Sequence, residues 1–177
     1  MGNKYVEHKG KDVPKANVSV ELLAERRLDM IHNYMQFWKE VLEQEYGLEK
    51  TKELAIKWGK QQGTHTAKVV TNWFKKKGID LASVTLADTC RDSARSSEIM
   101  GETYKAWTYD NGKKAVFQTI VCPTGKMFCE LGLGTDTCVK QCDLWMDGYM
   151  CIYPKIGFKR TRGIDKDAFC EWEMWSK

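Results

Sequence analysis

The sequence predicts an α+β fold, in which N-terminal helices pack on a mostly antiparallel sheet of about four strands. Two observations predict this class. Apolar residues recur at helical spacing up to about Met100, and from Tyr104 onward the spacing changes to the alternation of strands. Two short helices are expected between the first two strands and the last two. Helices and antiparallel strands that are segregated along a chain are typical of α+β proteins.

Three helices are predicted before the first strand: from about Ser19 to Tyr46, from about Leu48 to Lys77, and from Leu81 to about Met100. Each has a stripe that we expect to face the core. The stripes are Leu23, Met30, Tyr34, Trp38, Val41 and Leu42; Leu54, Trp58, Gln61, His65, Val69 and Trp73; and Leu86, Cys90 and Ala94. Gly59 and Gly63 interrupt the second helix, so it either kinks or splits there or packs closely against another helix.

A β-hairpin is predicted over Tyr104–Val121, because Asn111-Gly112 lies between two alternating segments. This dipeptide suits a type I′ turn, which needs positive φ at both central residues. After Pro123, residues 124–131 and 135–147 are predicted to form the two short helices, joined at Gly132–Gly134.

Alternation returns in Ile156–Arg162 and Phe169–Trp175, which are predicted to be the last two strands. Residues 1–16 are polar and contain glycine and proline, so we expect a flexible N-terminal arm. Residues 17–177 are expected to form a single domain.

Composition excludes several classes of protein. The chain has 177 residues, 42% of them hydrophobic and 29% charged, which is typical of a globular domain. Its 28 basic and 24 acidic side chains are too balanced to indicate a nucleic-acid partner. No apolar run approaches the roughly 18 residues of a membrane span, and the first residues do not resemble a signal peptide. We therefore expect a cytoplasmic protein with reduced thiols, no membrane partner, and oligomerisation as an open possibility.

Six of the seven cysteines lie at or after Cys122, and this clustering has three interpretations. A thiol can act as a nucleophile, which requires a thiolate. Reduced cysteines can also behave as small buried hydrophobes. The third interpretation is a metal or iron–sulfur centre, which needs converging ligands. Its candidate ligands are Cys122, Cys138, Cys142 and Cys170. No cofactor can be assigned from the sequence.

Arg160 is a candidate site residue because of its place in a strand. Alternation puts it on the same face as Ile156 and Phe158, where a cation is costly unless it meets an anion. A buried salt bridge to Asp143 would satisfy it. A substrate carboxylate would do so equally well, because the planar guanidinium can bind it with two parallel hydrogen bonds.

The segment from Val121 to Trp175 resembles the L-2-amino-thiazoline-4-carboxylic acid hydrolase family. Five pieces in the same order carry the resemblance, over about 55 residues. They are Val121-Cys122-Pro123, Glu130-Leu131-Gly132, Cys142-Asp143, the segment from Tyr153 to Arg162, and Phe169-Cys170-Glu171-Trp172. The resemblance implies a hydrolase that opens a C–N or C–S bond of a carboxylate-bearing heterocycle.

The resemblance supplies positions, to which we assign roles. Cys142 is the candidate nucleophile or a thiol that lines the pocket, and Asp143 is a general base or orienting carboxylate. Arg160 is the carboxylate clamp, with Thr161 as its hydrogen-bonding neighbour. The side chains expected to line the substrate site are Cys122, Cys170, Trp172 and Phe158.

The chain departs from the family pattern after Arg162. Gly163-Ile164-Asp165-Lys166-Asp167-Ala168 stands where members continue with Thr-Leu and a Gly-Asp turn, and the cysteines at 129, 138 and 151 are unusual. The architecture also resembles the 4-vinyl reductase type of small-molecule sensing domain. A binding or sensing domain without catalysis is therefore the alternative function, and a cysteine-ligated metal or iron–sulfur protein is the third.

Overall fold

The computed structural model describes residues 20–177, except for the side chains of residues 20–24, Arg95 and Ile99. These residues form five α-helices and one four-stranded antiparallel sheet. The α+β prediction is therefore confirmed. The predicted N-terminal arm, residues 1–16, lies outside the described residues.

The helices before the sheet are α1 (Val20–Tyr46), α2 (Leu48–Lys76) and α3 (Leu86–Ile99). The third predicted helix is shorter than expected, because a 3₁₀ turn at Leu81–Ser83 precedes α3. Thr85 explains the new start: its side chain accepts from the Asp88 backbone N–H, and the Asp88 carboxylate accepts from the Thr85 N–H. This reciprocal capping fixes the first turn of α3.

α2 is continuous through Gly59 and Gly63, so the expectation of a kink is wrong and that of close packing is confirmed. A Cβ built on Gly59 would lie 2.3 Å from the Gln141 carbonyl oxygen, and one on Gly63 would lie 2.1 Å from that of Trp145. Gly148 is the matching glycine of the facing helix: a Cβ built on it would lie 2.8 Å from the Lys60 carbonyl oxygen of α2. The two helices therefore meet backbone to backbone.

The glycine contact reverses the expected orientation of α2. Its buried residues are Thr51, Gly59, Gly63 and Ala67, whereas Trp58, Val69 and Trp73 are exposed. The prediction that the aromatic stripe faces the core is wrong here. It is also wrong for α1, where Met30, Tyr34 and Trp38 are exposed. In α3, by contrast, Leu86, Cys90 and Ala94 pack in the core as expected.

The sheet has strands β1 (Thr103–Tyr109), β2 (Lys114–Val121), β3 (Ile156–Arg162) and β4 (Cys170–Ser176), in the order β1-β2-β4-β3. The hairpin is confirmed, but its turn is centred one residue earlier than predicted. Asp110 and Asn111 both have φ of 53°, and the Gly112 N–H donates to the Tyr109 carbonyl at 3.1 Å. Gly112, at φ 79°, then leads into β2.

Between β2 and β3 lie α4 (Pro123–Glu130) and α5 (Thr135–Met150). Gly132 and Gly134, with φ of 70° and 85°, make the predicted joint. α5 has 16 residues and is longer than expected, because it extends through Met150. Its length lets it contact α2 along one side and β3 on the other.

The main core lies between the helices and one face of the sheet. Its buried side chains include Phe117 of β2, Tyr153 after α5, Ile156 of β3 and Met174 of β4. A second cluster forms around α4, where Phe128 and Leu131 pack with Cys138 of α5. In residues 20–177, no helix is both long and apolar enough to cross a bilayer.

We expect Gly63→Ala to destabilise the protein by about 1–3 kcal/mol, because the new methyl group would collide with backbone atoms of Trp145 that cannot move separately. Within a helix, replacing glycine by alanine normally stabilises the protein by about 1 kcal/mol. A loss of stability in Gly63→Ala would therefore indicate the close contact. Urea unfolding measures it. Gln62→Ala, at an exposed neighbouring position, is the control, and a Gly63→Ala protein as stable as this control would contradict the close contact.

Candidate functional site

Arg160 lies on the inner face of the sheet, as its alternation with Ile156 and Phe158 predicts. It pairs with Trp172 across β3 and β4, and its Cζ lies 4.1 Å from the centre of the Trp172 ring. Only 11% of the Arg160 side chain is exposed. The indole face therefore covers one side of the guanidinium, an arrangement that favours a cation.

The three nitrogens of Arg160 have different surroundings. Nε donates to Asp143 Oδ1 at 2.6 Å, so the predicted salt bridge is present. Nη2 makes a long contact, 3.5 Å, with the Val139 carbonyl oxygen. Nη1 is buried and has no hydrogen-bond partner among the described residues; the group beside the guanidinium is the Cys142 thiol, whose sulfur is a weak acceptor. A buried donor of a charged group without an acceptor is costly, which makes Nη1 the chemically unsatisfied atom of this site.

Several thiols lie near the guanidinium, among them those of Cys142, Cys138 and Cys170. Burial raises the pKa of Cys142 to about 12, although the adjacent Arg160 opposes this effect. Burial also raises the pKa of Cys122 to about 11 and that of Cys138 above its usual range. Near neutral pH these side chains are thiols. They present a weakly polar surface to the site and supply no thiolate nucleophile.

Cys122 also belongs to a hydrogen-bonded network that connects three elements. As the N-cap of α4, its sulfur accepts from the Gly125 N–H at 3.3 Å. Its thiol faces Glu102 Oε1 at 3.9 Å, and Ser97 donates to the same carboxyl group. Burial raises the pKa of Glu102. The hydrogen bonds from Ser97 and Cys122 lower this pKa, but their effect is smaller than that of burial. Sequence patterns did not indicate Glu102, because it stands alone between α3 and β1.

Some of the predicted site residues lie together, and others lie apart from them. Cys142, Asp143, Arg160 and Trp172 form one cluster, and Phe158 lies beside it with its ring centre 6.0 Å from that of Trp172.

Cys170 of β4 pairs with Thr119 of β2, and the neighbouring pair on the same face is Trp172 with Phe117. Cys170 is also near enough to Cys142 and Arg160 to affect their pKa values. Thr161 is exposed and donates to Glu171 Oε1 at 2.7 Å, because the alternation of β3 directs it away from Arg160. Thr161 therefore does not join the cluster.

The four cysteines proposed as metal ligands do not assemble into a metal site. In residues 20–177, no group of three or more His, Cys, Asp or Glu side chains is arranged to hold a metal ion. All seven cysteines are free thiols.

The loop after β3, residues 163–169, packs against α4 and α5. The Cβ position of Gly163 is 3.3 Å from Val139 of α5, and that of Gly125 in α4 is 3.0 Å from the Ile164 side chain. This loop is the segment that departs from the hydrolase family pattern. These contacts place the loop against the Val139 side chain of α5 and against α4.

Two surface cavities lie elsewhere. One, of about 240 Å³, separates α1 from α4 and has His32, Met100 and Met127 in its walls. The other, of about 410 Å³, lies between the end of α2 and Cys151. Arg160 lines neither of them, and its Nη1 atom is buried.

No protein-family model and no curated protein matches the chain. Solved structures do match. The phenol-responsive sensory domain of the transcription activator PoxR, with phenol, has a TM-score of 0.51 and 11% identity, over 82% of this chain and 74% of that one. A trafficking protein particle complex subunit 3 from Naegleria fowleri, covalently bound to palmitic acid, has a TM-score of 0.49 and 12% identity, over 89% and 96%. At these identities the first likeness concerns the fold alone.

The raised thiol pKa values predict the order of alkylation. At pH 7.5 we expect iodoacetamide to modify the exposed Cys129 and Cys151 first, and Cys142 at least about tenfold more slowly. Mass spectrometry of the cysteine-containing peptides over time measures each rate. Unfolding in urea should remove the difference. Rapid modification of Cys142 in the folded protein would contradict its assignment as an unreactive thiol.

The buried Glu102 predicts a pH dependence of stability. Because its folded pKa is raised, its favourable contribution is complete below the unfolded pKa of about 4.3 and is lost as pH rises through the folded pKa. Glu102→Gln keeps an acceptor for Ser97 and removes this loss. We therefore expect its free energy of unfolding, relative to wild type, to increase between pH 4 and pH 8. A difference that is constant with pH would contradict the burial of an ionisable carboxyl group.

Proposed function

We propose that the protein is a small-molecule-binding domain whose ligand carries an acceptor oxygen, preferably a carboxylate, that binds Arg160. The ligand is bound without being chemically changed. The observation that carries this proposal is Arg160 Nη1, a buried donor with no acceptor among the residues that the structure describes.

The energetics favour an anionic acceptor at this position. Leaving a buried polar group unpaired costs about 1–3 kcal/mol, and more when the group is charged. Asp143 already neutralises part of the guanidinium charge through Nε, and 43% of its side chain is exposed. An oxygen at Nη1 would satisfy the remaining donor. A carboxylate suits it best, because hydrogen bonds between ions are about twice as strong as those between neutral groups.

The surroundings of Arg160 restrict the rest of the ligand. Trp172 and Phe158 provide aromatic surface, and the thiols of Cys142 and Cys138 provide weakly polar surface. A ligand body that is flat and apolar would bury its area against these groups. Because Nη1 is buried, the ligand must be compact, and neighbouring side chains must move when it binds.

The hydrolase hypothesis has less support at the same residues. A thiol with a pKa of about 12 exists as a thiolate in only about one molecule in 10⁵ at pH 7, so Cys142 lacks the reactive form of a nucleophile. Asp143 Oδ1 accepts the hydrogen bond of Arg160 Nε, so this oxygen is already engaged and is not free to take a proton from water. A carboxylate-bearing heterocycle would still fit the anchor, so binding is common to both hypotheses and turnover distinguishes them.

The fold likeness to the PoxR sensory domain supports the second resemblance, to small-molecule sensing domains, rather than the first. That domain is described as phenol-responsive and contains phenol. The likeness extends to the fold alone, so the ligand of the present protein is inferred from Arg160 and its neighbours. No comparison supports the hydrolase family.

Arg160→Met tests the anchor. We expect benzoate, a compact aromatic carboxylate, to quench tryptophan fluorescence of the wild-type protein and to bind at least about tenfold more weakly to Arg160→Met, because one ionic hydrogen bond is lost. Arg162→Met is the matched control, since Arg162 is exposed in the same strand. Benzamide, which has the same ring and no charge, should bind more weakly than benzoate.

Incubation with L-2-amino-thiazoline-4-carboxylate separates the two functions. We expect the compound to compete with benzoate and to be recovered unchanged, as followed by chromatography and mass spectrometry. Ring opening that is lost in Cys142→Ala and Asp143→Asn would contradict a purely binding function and support the hydrolase. Equal benzoate affinity in Arg160→Met and Arg162→Met would contradict the anchor itself.

A further inference from the structure

One apolar stripe of α1 faces away from the other residues that the structure describes. Four large side chains occupy it: Met30, Tyr34, Phe37 and Trp38, which are 71%, 62%, 58% and 43% exposed. Their spacing puts them along one side of the helix. Ile31, 48% exposed, lies at its edge, where it also lines the cavity between α1 and α4. The aromatic rings already contact each other, with centres 6.0 Å apart for Tyr34 and Trp38 and 5.8 Å for Phe37 and Trp38.

The opposite face of α1, which packs on the protein, is less apolar. It includes Met35, which contacts the α4 cluster, and His32, whose Nδ1 is 3.7 Å from Glu130 Oε2. It also includes Lys39, paired with Glu43. A surface helix normally turns its apolar stripe inward and its charges outward. α1 also packs Leu28 and Met35 inward, so the exposed stripe is a second apolar stripe that no described residue covers. This indicates that something else covers it.

We infer that the stripe is covered by α1 of a second copy of this chain, in an antiparallel two-fold pair. The area is sufficient. At about 200 Å² for each large side chain, the exposed fractions of the stripe residues and Ile31 leave roughly 550 Å² per copy. Two copies then bury about 1,100 Å² from these side chains alone, above the approximately 1,000 Å² expected of a specific interface.

The charges at the two ends of the stripe select the antiparallel orientation. Arg27 precedes the stripe and Glu45 follows it, and both are exposed. They are 18 residues apart, which is five helical turns, so they lie on the same side of α1. A two-fold axis near Gln36 brings Tyr34 of one copy beside Trp38 of the other. The same axis brings each Arg27 beside the Glu45 of the second copy.

A parallel pair would instead place Arg27 beside Arg27 and Glu45 beside Glu45, and repulsion between these like charges disfavours that orientation. The antiparallel pair is therefore the one that both the apolar stripe and the charges fit. It is independent of the Arg160 site, which lies on the other side of α5, between that helix and the sheet.

Sedimentation velocity with the full chain tests the dimer. We expect wild-type protein at about 10 µM to have twice the monomer mass of 20.4 kDa, and Trp38→Glu to be monomeric. Trp107→Glu is the matched control, because Trp107 is 44% exposed on β1, away from α1. It should remain dimeric. Circular dichroism shows that each variant is folded.

A charge exchange tests the orientation. Arg27→Glu should weaken the dimer several-fold, because two glutamates then face each other at each end, and Arg27→Glu combined with Glu45→Arg should restore it. A wild-type protein that is monomeric up to about 100 µM would overturn the proposal. So would equal behaviour of Trp38→Glu and Trp107→Glu, or a double variant weaker than Arg27→Glu alone.

Discussion

The backbone contact between α2 and α5 is the constraint on which the rest of the molecule depends. Gly59 and Gly63 on one helix and Gly148 on the other leave no space for a side chain at the crossing. α5 is therefore held close to α2 along its length, and its opposite side meets the sheet. That side contributes Cys142 and Asp143 to the surroundings of Arg160. The glycines thus position the candidate site without touching it.

Within that frame, Arg160 combines two requirements that conflict. As a cation it needs acceptors, and as an inward-facing strand residue it is surrounded by an indole ring and protonated thiols. Asp143 satisfies Nε, and Nη1 remains without an acceptor. The weakly polar surroundings raise the cost of the unpaired donor and equally raise the gain from an anionic ligand. The proposed function follows from this imbalance, because a ligand can remove a cost that the protein alone retains.

Period-two alternation predicted both ends of β3, and it therefore predicted that Arg160 lies on the inner face of the sheet. The Cys122-Pro123 pair correctly predicted the start of α4. The orientation of α2 was not predictable from hydrophobicity, because close approach of glycine backbones outweighed burial of Trp58 and Trp73. The expectation that an apolar stripe faces the core was also wrong for α1, whose apolar stripe is exposed. The network at Glu102 escaped prediction because it joins side chains from separate elements, and no spacing along the chain encodes such a contact.

The central claim is that Arg160 Nη1 is the donor to a bound ligand. The most direct test is a high-resolution crystal structure of the protein with a compact aromatic carboxylate such as benzoate. The account predicts a carboxylate oxygen about 2.7–3.0 Å from Nη1, the ring of the ligand near Trp172, and Asp143 still bound to Nε. A ligand bound elsewhere, with Nη1 donating to an acceptor of the protein, would contradict it.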